Sequence, residues 1–124
     1  MSRRTEMLAS LIQRELAAII LRDLDDPRLA GFPSITRVKV SPDLSIADVY
    51  VSVMGTQTQQ NLALNALRHS AGLMRAKLTQ SVSLRTAPYL KFHLDERLKK
   101  ELAVLEALRK VAAEQHATED AKPT

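Results

Sequence analysis

At 124 residues without a cysteine, the chain has room for one domain and excludes disulfides, thiolate catalysis and cysteine-held zinc. A net charge of +4 and a pI near 9.7 favour an anionic partner, nucleic acid before membrane or acidic protein. Hydrophobic content of 45% suits a soluble globular protein, and no stretch approaches the roughly eighteen apolar residues of a membrane span. With two Tyr, two Phe and no Trp, the composition argues against a sheet that stacks RNA bases on exposed rings.

The start, Met1-Ser2-Arg3-Arg4, runs into mixed charge rather than an apolar signal core, so a soluble cytoplasmic protein is expected. Residues 3–22 form the first predicted helix, with Leu8, Ile12, Leu16, Ile19 and Ile20 as its apolar stripe and Ser2 as a candidate N-cap. Asp25-Asp26-Pro27 should stop it, because proline disfavours helical geometry in the preceding residue. Gly31 and Pro33 mark a loop. Thr36, Val38 and Val40 then alternate with Arg37, Lys39 and Ser41 as a half-buried strand. After the turn Ser41-Pro42-Asp43, residues Ala47, Val49, Val51 and Val53 alternate with Asp48, Tyr50 and Ser52 as a second strand, antiparallel to the first. A helical run covers roughly 60–82, with Thr56 or Thr58 available as its cap and Gly72 near its middle; periodicity leaves open whether it is one helix or two. Leu90, Phe92 and Leu94 define a third strand. From Glu96 to about Gln115 the chain is helical again, with Leu98, Leu102, Leu105 and Leu108 on one side, and packing of that stripe on the sheet or first helix is expected over a protein-docking role. Residues 1–115 thus make a single domain, and 116–124 a polar, disordered tail. The order is an α+β layout with helices on a three-stranded sheet.

The most informative stretch runs from Val49 to Leu94, which contains no Asp or Glu and carries Arg68, Arg75, Lys77, Arg85 and Lys91. In steps of three and four, Asn61, Asn65, Arg68, Gly72, Arg75 and Thr79 share one helix face, opposite Leu64, Leu67, Ala71, Met74 and Leu78. Glycine on a solvent-facing helix position costs about 1 kcal/mol relative to alanine. In exchange another molecule can approach the main chain, or the helix can bend. Between two arginines, that reads first as a phosphate-contacting surface, with a merely solvated face as the alternative.

The motifs Asp26-Pro27-Arg28-Leu29, Val38-Lys39-Val40-Ser41-Pro42-Asp43-Leu44 followed by Ala47-Asp48-Val49-Tyr50-Val51-Ser52, and Arg85-Thr86-Ala87-Pro88-Tyr89-Leu90-Lys91-Phe92 followed by Asp95 stand in an order that resembles the ribosome-binding factor A family. The resemblance covers about residues 3–110. It implies a type II KH-like fold in which an Ala-x-Gly helix-kink-helix replaces the GxxG loop. Ser70-Ala71-Gly72 occupies those positions, with serine where the family has alanine; a serine can itself bend a helix by bonding back to an earlier carbonyl. The resemblance further implies a non-catalytic, monomeric assembly factor that binds the small (30S) ribosomal subunit and 16S rRNA. Such a factor would assist late maturation, including 5′-end processing, and matter for growth in the cold. Other assembly factors, GTPases among them, would be further partners.

The RNA-contact candidates are Arg68, Ser70, Ala71, Gly72 and Arg75, with Lys77 joining if a kink swings it round. Arg85 and Lys91 flank the last strand, and each is as readily a solubility charge as a contact. Arg37 and Lys39 face outward from the first strand and could extend the patch. No metal is expected: Asp23, Asp25 and Asp26 mark a helix end without a calcium loop, and His69, His93 and His116 lack ligand spacing. Neither a nucleophile elbow nor a phosphate loop with its lysine occurs, so no cofactor or enzymatic role is expected. The alternative of another class is a scaffold module that pairs through leucine-rich helices.

Overall fold

Ile12, Leu16, Ile19 and Ile20 recur at helical spacing and are buried together, which holds α1 (Arg3–Asp23) against the sheet. In the computed structural model, residues 3–29 and 33–121 are described; Ser2, Gly31 and the last three residues lie outside them. After α1 a single 3₁₀ turn, Pro27–Leu29, follows. It is closed by Asp26, whose carboxylate accepts from the Arg28 main-chain N–H at 2.9 Å and from the Arg28 guanidinium at 2.7 Å. These bonds hold the Asp26 carboxyl down to about 2 and set buried Leu29 beneath the second helix.

The strands are β1 (Ser34–Val40), β2 (Ile46–Ser52) and β3 (Tyr89–Leu94), in the order β1-β2-β3. β1 and β2 are antiparallel, as expected, while β3 runs parallel to β2. Between β1 and β2, Asp43 organises the turn: its Oδ1 accepts from the Ser41 and Ser45 hydroxyls, each at 2.7 Å, and Leu44 takes a left-handed φ of 63°. The third segment is two helices, α2 (Gln57–His69) and α3 (Ala71–Ser81). Val38, Val40, Ala47, Val49, Val51, Leu90 and Phe92 meet the buried sides of α1, α2 and α3 in one core. This helix-strand-strand-helix-helix-strand order on a three-stranded sheet is a type II KH-like α+β fold.

Two expectations fail. Thr36 does not point inward: a β-bulge between Ile35 and Arg37 turns Ile35 toward the core and Thr36 outward, where its hydroxyl donates to Asp95 at 2.5 Å. Strict alternation therefore misassigns the first half of β1. The final helix, α4 (Arg97–Ala121), does not pack its stripe on the domain. Leu102, Leu105 and Leu108 are each more than half exposed, and no described side chain of α4 enters the core. The Leu98 side chain lies outside the described set. The helix also runs past Gln115, to Ala121. Its root is fixed by Asp95, which accepts from the Arg97 guanidinium at 2.8 Å and from the Thr36 hydroxyl; these hold its carboxyl well below the usual range.

Candidate nucleic-acid interface

Thr56 starts α2 with a capping box: its hydroxyl accepts the Gln59 N–H at 3.2 Å, and Gln59 Oε1 accepts the Thr56 N–H at 2.8 Å. Gly55 precedes it with φ +116°, and a Cβ there would collide with the Gln59 side chain. From this fixed start Ala63, Leu64, Ala66 and Leu67 face the core, which turns Arg68 outward.

A single residue, Ser70, separates α2 from α3. Its N–H closes α2 on the Ala66 carbonyl at 3.1 Å, and its own carbonyl accepts the Met74 N–H at 3.0 Å. The Ser70 hydroxyl makes no capping bond, so the break is carried by the main chain, at φ −90° and ψ 3°, rather than by back-bonding. Gly72 lies in the first turn of α3, exposed, and a Cβ built on it meets no atom within 4 Å. Neither internal packing nor a left-handed φ demands glycine here.

Arg75, one turn on, is only partly exposed. Its Nε donates to the Ala87 carbonyl at 2.9 Å, and its guanidinium carbon stands 3.9 Å from the centroid of the Tyr89 ring. Thr79 joins this clamp, accepting the Ala87 N–H at 3.2 Å. Ala71, Gly72, Ala76, Arg75, Arg85 and Tyr89 surround an open cleft of about 270 Å³. Its floor on α3 is made of small residues, and Arg85 stands at its rim, exposed and without an ion pair or side-chain hydrogen bond among the described residues. Such a cleft offers a main-chain surface, a free cation and a cation-backed aromatic ring to one ligand, a combination that suits a nucleotide.

The candidates thus divide. Gly72, Ala71, Arg75 and Arg85 come together at the cleft. Arg68 is exposed on the same helical run, and its Nη2 donates to the Phe92 carbonyl at 3.1 Å. Lys77 points elsewhere, with its Nζ 3.8 Å from Asp23 at the end of α1. Arg37 and Lys39 lie on the far face of the sheet. Sequence reasoning does not single out Tyr89 as a site residue; its meeting with Arg75 depends on β3 docking beside α3, which no local pattern signals. Among the described residues no His, Asp and Glu cluster suits a metal, and no helix is long and apolar enough to cross a membrane.

Residues 4–108 match the family model described as ribosome-binding factor A. A ribosome-binding factor A from Psychrobacter arcticus is 45% identical over 77% of each chain. Another, from Desulforamulus reducens, is 40% identical over all of this chain and 98% of its own. The crystal structure of ribosome-binding factor A from Thermus thermophilus superposes with a TM-score of 0.66 at 30% identity, covering 75% of this chain and 97% of that one. A Thermus thermophilus RbfA homology model fitted into the cryo-EM map of a 30S–RbfA complex superposes with a TM-score of 0.59 at 31% identity, over 70% and 90% of the two chains. The fold, the motif order and these matches together place the chain in the ribosome-binding factor A family.

Proposed function

We propose that this protein is a non-catalytic assembly factor that docks on the small ribosomal subunit through the α2–α3 face. The observation that carries this reading is Gly72: an exposed helical glycine with open space above it, beside Arg75 and the unpaired Arg85, in a segment without acids. A main chain left bare among cations lets a phosphate backbone approach closely. The Thermus relative fitted into the map of a 30S complex supports the same partner. Binding rRNA while it is still flexible would favour some arrangements over others, a population shift toward mature 16S rRNA that includes processing of its 5′ end. Residues 1–115 would carry this role, and 116–124 would be dispensable for it.

The exposed apolar residues of α4 favour a second reading, a module that pairs with other proteins. Sucrose-gradient fractionation of a cell extract separates the two. Co-migration with free small subunits but not polysomes is expected, and its loss in an Arg85→Glu variant ties it to the cleft. A protein that stays at the top of the gradient with wild-type sequence removes the ribosomal reading.

A further inference from the structure

We infer that the helix-free face of the sheet is a second RNA-contact surface, on which an unpaired base lies against the row Arg37–Tyr50–His93 while Lys39 and Lys91 take neighbouring phosphates. The inference rests on the reading of the chain as an RNA-binding factor, but on different residues from the cleft.

All three core helices pack on one side of the sheet, because Val38, Val40, Val49, Val51, Leu90 and Phe92 point that way. The other side displays two cross-strand rows in register, Lys39–Asp48–Lys91 and Arg37–Tyr50–His93. In the second row the rings of Tyr50 and His93 lie 5.1 Å apart at 32°, and the Arg37 guanidinium stands 5.9 Å from the Tyr50 centroid. Guanidinium, phenol and imidazole are planar groups on which nucleobases stack. The composition is poor in aromatics, yet register places one of its two tyrosines between an arginine and a histidine on an open surface.

The charge on this face is lopsided. Arg37, Lys39 and Lys91 are all exposed, while Arg97 is held by Asp95. Of the carboxylates facing them, Asp48 is bonded to His93 at 2.8 Å, and Asp95 is taken up by Arg97 and Thr36; Glu101 stands at the Arg97 end only. No large apolar side chain is exposed on β1, β2 or β3 apart from Tyr89, so the apolar centre that a protein partner needs is missing. A polyanion with flat bases fits better. The two surfaces also adjoin: Tyr89 walls the cleft, and Lys91 is the next residue on the same side of β3. A single strand leaving the cleft past Tyr89 meets Lys91 first.

The absence of Trp and the presence of only Tyr50 and Tyr89 supply a direct test. Tyr89→Phe leaves Tyr50 as the sole emitter, and Tyr50→Phe leaves Tyr89. Each full-length variant is titrated with an unstructured oligouridine of about ten nucleotides, within the usual single-strand site sizes. Tyr50 emission should fall at least twofold at saturation, and inorganic polyphosphate, which has no base, should leave it unchanged. Arg37→Gln combined with Lys39→Gln and Lys91→Gln should weaken the RNA tenfold or more with an unaltered melting curve. Its salt slope should drop by about 0.7 log unit per lost contact. Silent Tyr50 emission and wild-type affinity in the triple variant overturn the inference; if Arg85→Glu still loses binding then, the cleft reading stands without it. Equal quenching by polyphosphate overturns the base-stacking row. A strong effect of the triple variant with none from Arg85→Glu upholds this surface and removes the cleft.

Discussion

Arg75 holds Tyr89 from above: its guanidinium carbon is 3.9 Å from the ring centroid while its Nε donates to the Ala87 carbonyl at 2.9 Å. The cation that sequence spacing offers to phosphate is thus also a bolt between α3 and the start of β3. Arg68 acts similarly toward the Phe92 carbonyl. Replacing Arg75 with Met should lower stability by about 1–2 kcal/mol, the sum of a hydrogen bond and a cation–π contact. Arg85→Glu, at a residue with no such ties, should leave the melting temperature unchanged and weaken subunit binding tenfold or more. Thermal melting and co-sedimentation on both variants check the division; unimpaired binding by Arg85→Glu assigns Arg85 to solubility alone.

Gly72 separates binding from folding. A methyl group there meets nothing, so Gly72→Ala should stabilise α3 by about 1 kcal/mol, a few degrees in Tm. Gly72→Val should keep the fold yet lose affinity for small subunits, because its branches stand where the RNA backbone would approach. Wild-type affinity with an intact fold takes the glycine out of the mechanism.

Because α4 contributes no described side chain to the core, ending the chain after Glu101 should leave the Tm within about 1 °C and the urea m-value unchanged. Removing only residues 116–124 should change neither stability nor subunit binding. Hydrogen exchange should show weak protection across residues 102–115 and strong protection across β2. A large Tm loss on the longer truncation would mean that α4 docks in solution.

Acid titration should find three unusually strong carboxylic acids, one of them Asp95, held down by Arg97 and Thr36. The Arg28 guanidinium lowers Asp26 to about 2, and the Ser45 and Ser41 hydroxyls lower Asp43 to about 2. Depressed folded-state values stabilise the fold above the ordinary carboxylate range, and that contribution fades as pH falls from about 4 toward 2. Carboxyl NMR shifts followed between about pH 5 and 1.5 give the midpoints of Asp26 and Asp43. In Ser45→Ala, Asp43 should titrate higher while Asp26 stays in place.

Most of the layered fold is legible locally, since burial at period two or near four marks every core position of α1, β2 and β3. Ile35 and Thr36 escape because a bulge inserts one residue without altering hydropathy. The Gly72 surface is legible too, as an energetically poor residue on a polar face. Tyr89 and the divided fates of Arg75 and Arg85 are not, since each is decided by a neighbour brought in by strand docking. The stripe on α4 shows what a helix could bury, but only tertiary structure says whether anything meets it.

The interruption at Ser70 also governs chain reach. An unbroken helix from Gln57 to Ser81 would extend about 37 Å at roughly 1.5 Å per residue. Strand β2, with seven residues, is about 23 Å long. Since β3 lies parallel to β2, the connection must carry the chain back to the edge where β2 began. A straight rod would overshoot that edge by more than half the length of the strand, and residues 82–88 would have to double back before Tyr89 could pair with Ile46. Folding the rod in two at Ser70 brings the crossover within the footprint of the sheet. Substitutions that favour helix continuity through Ser70 should therefore slow the docking of the third strand during refolding, whatever they do to RNA.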